Sequence, residues 1–481
     1  MVKKTSRKTK KKPASKAAAN VLVVNMIPRS LSGESHQDSE PTIAVNPANT
    51  QQIAGSAFTP DPGGGNVAPI YISADGGNTW MLNSIVPSSA ANGSGTLDIT
   101  VAFGTSSNKL YAGIIREPSP PNRPRLNILR TDDFQGGTKM KVLVDRTGSG
   151  VDQPYVQAAT VSSGPDKGKD RVYVGDNDFS STPKSATIDQ SLDASKATPA
   201  FTSVRIESRS HSSGGQDGPP IRPAIHPDGT VYAIFHSWLT FNSDTGDGTA
   251  DIVVVRDDNG GSGTNKFKAL VDSGDNKAGV RVVQHAKFNF DGFLGLQRTG
   301  GDVSIAVDPS NSSVVYIAYN DDVGPDYMLH VLRSTDRGVT WSSDVLTVRN
   351  ALNPALAINT AGKVGLLYQQ LSGPSSNQRW ITKFEWSTNG TTWNAMTLAT
   401  VPANTPAKDF DPYLGDYEHL MSVGKDFYGV FCANNTPNKS NFPKGVKYQR
   451  NANFTSHTLL DVDNVTPVAP SIDPFFFKVT G

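Results

Sequence analysis

A chain of 481 residues with 44 Gly, 32 Pro, a single Cys and a formal charge of +1 has room for two or three average domains or for one large domain built from repeats. One cysteine excludes an internal disulfide framework, and no apolar run reaches the roughly 18 residues of a membrane span. The near-zero charge hides an asymmetry: residues 1–19 carry seven Lys and one Arg without an acid, leaving about −7 on the rest, 37 basic against 44 acidic residues.

Residues 1–20 therefore read as a disordered basic tail, since they have almost nothing apolar to bury. Its other readings are an address, a handle for a protein partner, or a nucleic-acid contact, the last disfavoured. The tail lacks the apolar core of a secretory leader, so the chain as written is expected in the cytoplasm, or exported by a route without a signal peptide. Val21 to Met26 follows as one apolar strand, and then a polar linker runs to Ser39. From there short Val/Ile/Tyr-rich runs alternate with Gly, Asn, Asp and Ser clusters, and no segment keeps a helical apolar period. The pattern is all-β.

A unit recurs through these strands. Glu40-Pro-Thr-Ile-Ala-Val, a turn, and Gln52-Ile-Ala-Gly-Ser-Ala-Phe form a first and second strand, and a third-to-fourth strand hairpin follows. Glu40, Asp98, Asp152, Asp217, Asp302, Asn353 and Asp416 mark seven such starts, about 50 to 85 residues apart, as expected of propeller blades with added loops. We expect residues 21–481 to form a single β-propeller of seven four-stranded blades, six plus a degenerate unit being the alternative. Val21 to Met26 would supply the outer strand that closes the last blade.

The hairpins carry a motif. Ser73 to Trp80 reads Ser-Ala-Asp-Gly-Gly-Asn-Thr-Trp and recurs at Ser334 to Trp341 as Ser-Thr-Asp-Arg-Gly-Val-Thr-Trp, with a frayed copy at Ser387 to Trp393. Thr131-Asp-Asp133 and Asp257 to Gly260 look like remnants. These octets resemble the Asp-box repeats of sialidase-like β-propellers of bacterial type, and the resemblance covers nearly everything after residue 39. It speaks for the fold far more than for activity, because one fold hosts many functions. Physically the octet is a folding device: Asp75 and Asp336 can accept backbone N–H groups across the turn, and Ser73 and Ser334 can add a bond. Gly77 and Gly338 can take a positive φ, and Trp80 and Trp341 can bury a ring between units. Topology puts these turns on the face opposite the first-strand starts.

The chemistry is therefore expected at the first-strand starts and second-strand ends, around the mouth of the central channel. Candidate catalytic groups are Asp98, Asp152, Asp416 and Tyr417. Candidate ligand contacts are Glu40, Asp217, Asp302, Arg116, Arg222, Tyr155 and Trp238. Each acid could instead cap a strand, but several converging on one axis repel unless a cation such as Ca²⁺, a Lys or Arg, or protons join them. The Asp98/Asp152/Asp302/Asp416 ring is the candidate cation site, and no cofactor is otherwise required. The segment Asp409-Phe-Asp-Pro-Tyr-Leu-Gly-Asp-Tyr-Glu-His-Leu420 gathers Asp411, Asp416, Tyr417 and Glu418.

The resemblance implies an arginine cluster, a Tyr/Glu nucleophile pair and an Asp acid/base, as in sialidases. Their Arg-Ile-Pro motif is not present, and the arginines placed near the mouth are chiefly Arg116 and Arg222. An acidic mouth with few arginines disfavours an anionic sugar and suits a neutral glycan or glycoconjugate. Two carboxylates about 5 Å apart, or about 6.5 to 9.5 Å, could hydrolyse one. The expected function is recognition of a glycan, with hydrolysis as its extension. The alternative is a non-catalytic interaction propeller docked through its surface or tail.

Overall fold

The computed structural model describes residues 20–58, 70–87, 96–116, 124–146, 150–178, 185–209, 221–300, 302–324 and 326–481. The basic tail and Asp217 lie outside them. The described residues form seven four-stranded antiparallel sheets, with three single 3-10 turns and no α-helix. None of their helices is long and apolar enough to cross a membrane.

The first strands are Ser39–Val45, Thr96–Phe103, Val151–Thr160, Arg222–Ile225, Val303–Asp308, Ala351–Ile358 and His419–Val423. Each touches the next, and the last touches the first, so they surround one axis. In four of the seven first strands a side chain helps hold the ring. Thr42 Oγ1 accepts the Val101 amide at 3.4 Å, Thr100 Oγ1 that of Val156 at 2.9 Å, Ser304 Oγ that of Leu356 at 2.9 Å, and His419 Nδ1 that of Ile43 at 3.1 Å. Farther out, the recurrent tyrosine of the second strands crosses to the following sheet. Tyr111 donates to Asp170, Tyr173 to the Gly260 carbonyl and Tyr232 to the Ser312 carbonyl, at 2.7 to 2.8 Å.

The octets behave as their residues predict. Asp75 Oδ1 accepts the Thr79 amide at 2.9 Å, Oδ2 accepts the Thr79 hydroxyl at 2.7 Å, and Ser73 Oγ accepts the Gly77 amide at 2.9 Å. Asp336, Thr340, Ser334 and Gly338 repeat these bonds at 2.9, 2.6 and 2.9 Å. In the frayed copy Asn389 Oδ1 still accepts the Thr392 amide at 2.8 Å, and Asp257 performs the same service for Asn259, Gly261 and Phe267. Each octet packs on the preceding sheet: Trp80 lies 5.4 Å from Phe476 of sheet seven, and Trp341 joins Tyr232 and Leu270 of sheet four.

Closure uses both chain ends. Val21–Asn25 is the outer strand of sheet seven, paired antiparallel with Ile472–Val479 from Val21↔Val479 to Asn25↔Phe475. Its other edge is tied to Lys447 by two backbone bonds of 2.9 Å. The linker that follows is polar in sequence yet partly buried: Ser32, Glu34, Gln37 and Asp38 are buried, whereas Arg29, Ser30, Gly33, Ser35 and His36 are exposed. It acts as a strap, because sheets seven and one bury part of it on the way to the first axial strand.

Gly77 has φ +89°, and a Cβ there would stand 2.1 Å from Phe476 Cε1. Gly77→Ala should cost about 2 kcal/mol or more through overpacking and a strained φ. Gly137→Ala, where a Cβ meets nothing within 4 Å, should be near neutral. Urea unfolding of the two variants checks this; equal stabilities would contradict the packing role of the octet.

Candidate functional site

Ring closure places one buried side chain from each sheet at the mouth: Glu40, Asp98, Gln153, Arg222, Asp302, Asn353 and Tyr417. Two of the expected markers give way to a neighbour. Sheet three presents Gln153 rather than Asp152, sheet seven Tyr417 rather than Asp416, and sheet four Arg222, Asp217 being outside the described residues. In sheet three the physical reason is a β-bulge, which recurs in sheets one, two and six. Register slips between Ser39 and Thr42, Thr96 and Ile99, Asp152 and Tyr155, and Leu352 and Ala355. Glu40, Gln153 and Asn353 each take a positive φ of 48 to 57° just before a proline. The bulge turns that residue, and not its neighbour, toward the axis.

Arg222 is the hub. Its guanidinium lies over the rings of Tyr155 at 4.3 Å and Tyr417 at 5.0 Å, and Nη2 pairs with Asp302 Oδ1 at 3.6 Å. Neither Nη atom of Arg222 has a hydrogen-bond partner among the described residues, nor do Asp302 Oδ2, Gln153 Oε1 or either oxygen of Glu418. Buried polar atoms seldom go unpaired, so structural need does not account for this set. The Tyr417 hydroxyl donates to Asp98 Oδ1 at 3.4 Å.

Burial and the facing Asp98 carboxyl, which shares a hydrogen bond with it, raise Glu40 well above the usual carboxylate range. Burial and Asp98 likewise raise the Tyr417 phenol, and burial and Asp302 raise Glu418. Burial pushes Asp302 up to about 7, although Arg222 and the Val303 amide oppose it. Burial, aided by Arg222, lowers His419 to about 3, which keeps the imidazole neutral for its bond to the Ile43 amide. The site thus holds protonated acids and a neutral phenol near neutral pH, a condition suited to proton donation.

Arg298 is the residue that sequence reasoning missed. It stands on a short hairpin, Phe293–Leu294 with Gln297–Arg298, in the connection between sheets four and five. The connection spans the longest interval between repeat starts, which is the one signal that an extra element lies there. Arg298 clasps Asp416, Nε donating to Oδ1 at 2.9 Å and Nη2 pairing with Oδ2. Burial would favour the neutral guanidine, but Asp416, Glu40 and Asp152 outweigh it and hold the charge. Gln297 fixes the hairpin, accepting the Leu414 amide at 2.6 Å and donating to the Gly415 carbonyl at 3.0 Å. Gly415 is needed here, since a Cβ would come within 2.5 Å of the Glu40 amide nitrogen.

Other expected residues take other places. Arg116 is buried, with Nε on Asn127 Oδ1 at 3.1 Å and Nη2 on the Pro87 carbonyl, so two of its three guanidinium nitrogens bond in and beside sheet two. Trp238 packs among Phe241, Phe288 and Phe290. Asp411 is exposed and paired with Lys408. Asp152 and Tyr155 are half-buried, and Tyr155 meets Arg222 and His419.

Two spaces adjoin the ring. Above it, Gln153, Arg298, Asp302, Asn353 and Asp416 border a cavity of about 20 Å³. Below it, a cavity of about 680 Å³ follows the first strands, with Tyr155, Arg222, Glu418 and His419 at one end and Pro47, Pro227 and Pro309 at the other.

No family model matches the sequence, and no curated protein does. Among solved structures, the chain is similar to an α-L-arabinofuranosidase of Fusarium graminearum in complex with an iminosugar inhibitor, at 10% identity and TM-score 0.44, over 95% of this chain and 97% of that one. It is similar to a Hadza microbial sialidase at 12% identity and TM-score 0.41, over 83% and 64% of the two chains. It is also similar to an ulvan lyase of polysaccharide lyase family 25 at 9% identity and TM-score 0.48, over 83% and 92%.

Asp302 yields a pH prediction. Its carboxyl keeps a proton to about 7 when folded and releases it near 3.9 when unfolded. Between those values the unfolded state binds fewer protons, so this group's stabilisation is full below about pH 4 and is lost as pH rises through 7. His236 and His419, both lowered to about 3 by burial, slope the opposite way below their ordinary pKa. The contrast between wild type and Asp302→Asn isolates the term. From pH 4 to 7 wild type should lose stability relative to the variant by up to about 1.4 kcal/mol per pH unit. Parallel profiles in chemical denaturation would refute the assignment.

Proposed function

We propose that this chain is a sialidase-like Asp-box propeller whose axial ring recognises a neutral glycan and hydrolyses it. The observation that carries the reading is the buried set Asp98, Tyr417, Arg222 and Asp302. These groups form one contiguous chain of contacts, yet several of their polar atoms bond to nothing else described. In this reading Tyr417 supplies the attacking oxygen and Asp98 takes the phenolic proton. Asp302, still protonated near neutral pH, gives a proton to the leaving oxygen, and water then releases the sugar from Tyr417. Arg222 orients both partners and limits the charge that builds between them. The acids of the ring outnumber Arg222 and Arg298, and each arginine already faces a carboxylate. With both arginines so engaged, neither is left to clamp the carboxylate of an anionic sugar. Entry from above requires the Arg298–Asp416 clasp to open.

A second reading has its own support. The cavity of about 20 Å³ above the ring holds about one water, which favours a non-catalytic interaction propeller if the clasp stays shut.

The test is a panel of neutral and anionic fluorogenic glycosides, run beside direct saccharide binding, with wild type, Tyr417→Phe and Asp302→Asn. Turnover of a neutral glycoside is expected, falling about 100-fold or more in Tyr417→Phe with the fold unchanged, and losing its alkaline limb in Asp302→Asn. Binding without turnover would establish the second reading. No saccharide bound, or full activity in Tyr417→Phe, would sink the first.

A further inference from the structure

Where sheets seven and one meet, Glu34, Asp38 and Asp473 bring carboxylate oxygens within 4.8 Å of one another, and all three residues are buried. Two of them come from the strap and one from the Ile472–Val479 strand. Arg450 supplies one positive charge: Nη2 pairs with Asp473, and Nη1 donates to the carbonyls of Ser32 at 3.2 Å and Glu34 at 2.9 Å. Asp473 is already oriented by Asn25 at 2.6 Å, Asn435 at 2.9 Å and Ser471 at 2.6 Å. Like carboxylates brought this close together away from water are a costly arrangement unless something balances them.

An independent observation points to what does so. The Tyr71 hydroxyl is 0% exposed and has no hydrogen-bond partner among the described residues, yet it lies within electrostatic reach of Asp38, Glu34 and Asp473. Glu34 Oε2 is also without one. A buried phenol with nothing to bond carries a desolvation cost of about 1 to 3 kcal/mol, and here it faces the cluster. Every donor is oxygen, with no His or Cys, which selects a hard cation over zinc or copper.

We infer that Glu34, Asp38 and Asp473 bind one Ca²⁺ ion, with the Tyr71 hydroxyl facing a water on that ion. The bound ion ties the strap, the third strand of sheet one and the third strand of sheet seven together at the seam where the ring closes. It is distinct from the axial ring and owes nothing to catalysis.

The experiment titrates the chelator-treated full chain with CaCl₂ by calorimetry and melts it with and without calcium. One site per chain is expected, with a rise in Tm of about 3 °C or more at saturation. Glu34→Gln should abolish both. Tyr71→Phe, which removes an oxygen that bonds to nothing described and so should preserve folding, should weaken calcium binding about tenfold. Asp98→Asn, at the axial ring, should leave it unchanged. The inference is overturned if wild type takes up no calcium, if Glu34→Gln or Tyr71→Phe binds as wild type does, or if Asp98→Asn abolishes binding. Should Glu34→Gln fail to fold, the Tyr71→Phe affinity decides.

Discussion

The pairing of Val21–Asn25 with Ile472–Val479 is the constraint on which the other features depend. Sheet seven draws its outer strand from one chain end and its remaining strands from the other, so neither end completes a sheet alone. With the seam closed, the strap turns Ser32, Glu34, Gln37 and Asp38 inward, and Gln37 reaches the opposite end of the chain. It donates to the carbonyls of Phe410 and Pro412 at 3.0 and 2.9 Å and accepts the Asp409 amide at 3.0 Å. That clamp fixes the Asp409–Leu420 segment, which supplies Gly415, Asp416 and Tyr417. Closing the ring and building the mouth are one event.

The electrostatics follow from that geometry. Carboxylates from sheets one, two, five and seven converge where solvent is scarce, and three means of balancing them coexist. Arg222 and Arg298 pair with Asp302 and Asp416, Glu40 retains a proton against Asp98, and Tyr417 stays a neutral phenol. A buried array of this kind costs stability that a purely structural propeller could save with apolar residues. The octets on the opposite face show that contrast, since their Ser and Asp side chains have local backbone or hydroxyl partners that explain them.

Much of the fold was legible. The octets, the recurring second-strand tyrosines and the orphan strand at Val21 are local in sequence and act through local or neighbouring-sheet contacts, so their letters carry their roles. The site was legible only to within a residue. The bulge that selects Gln153 over Asp152 depends on a positive φ and on strand register, neither of which the letters display. Tyr417 was recognised, but its place beside Asp416 rests on the loop that Gln297 and Gly415 hold ahead of His419–Val423. Arg298 escaped because it belongs to an insertion outside the repeat, and residues of an insertion have no counterpart to align with. Glu34 and Asp38 fall in the stretch read as a polar linker, because polarity alone cannot tell a loop in water from a strap held between two sheets.

Amide hydrogen exchange on the full chain tests the dependence of the mouth on closure most directly. Val21–Asn25, Ser39–Val45 and His419–Val423 should share one slow rate, because they open only together. Rapid exchange at Val21–Asn25, with protection retained at Ser39–Val45 and His419–Val423, would show that the mouth stands without the seam and would contradict the account.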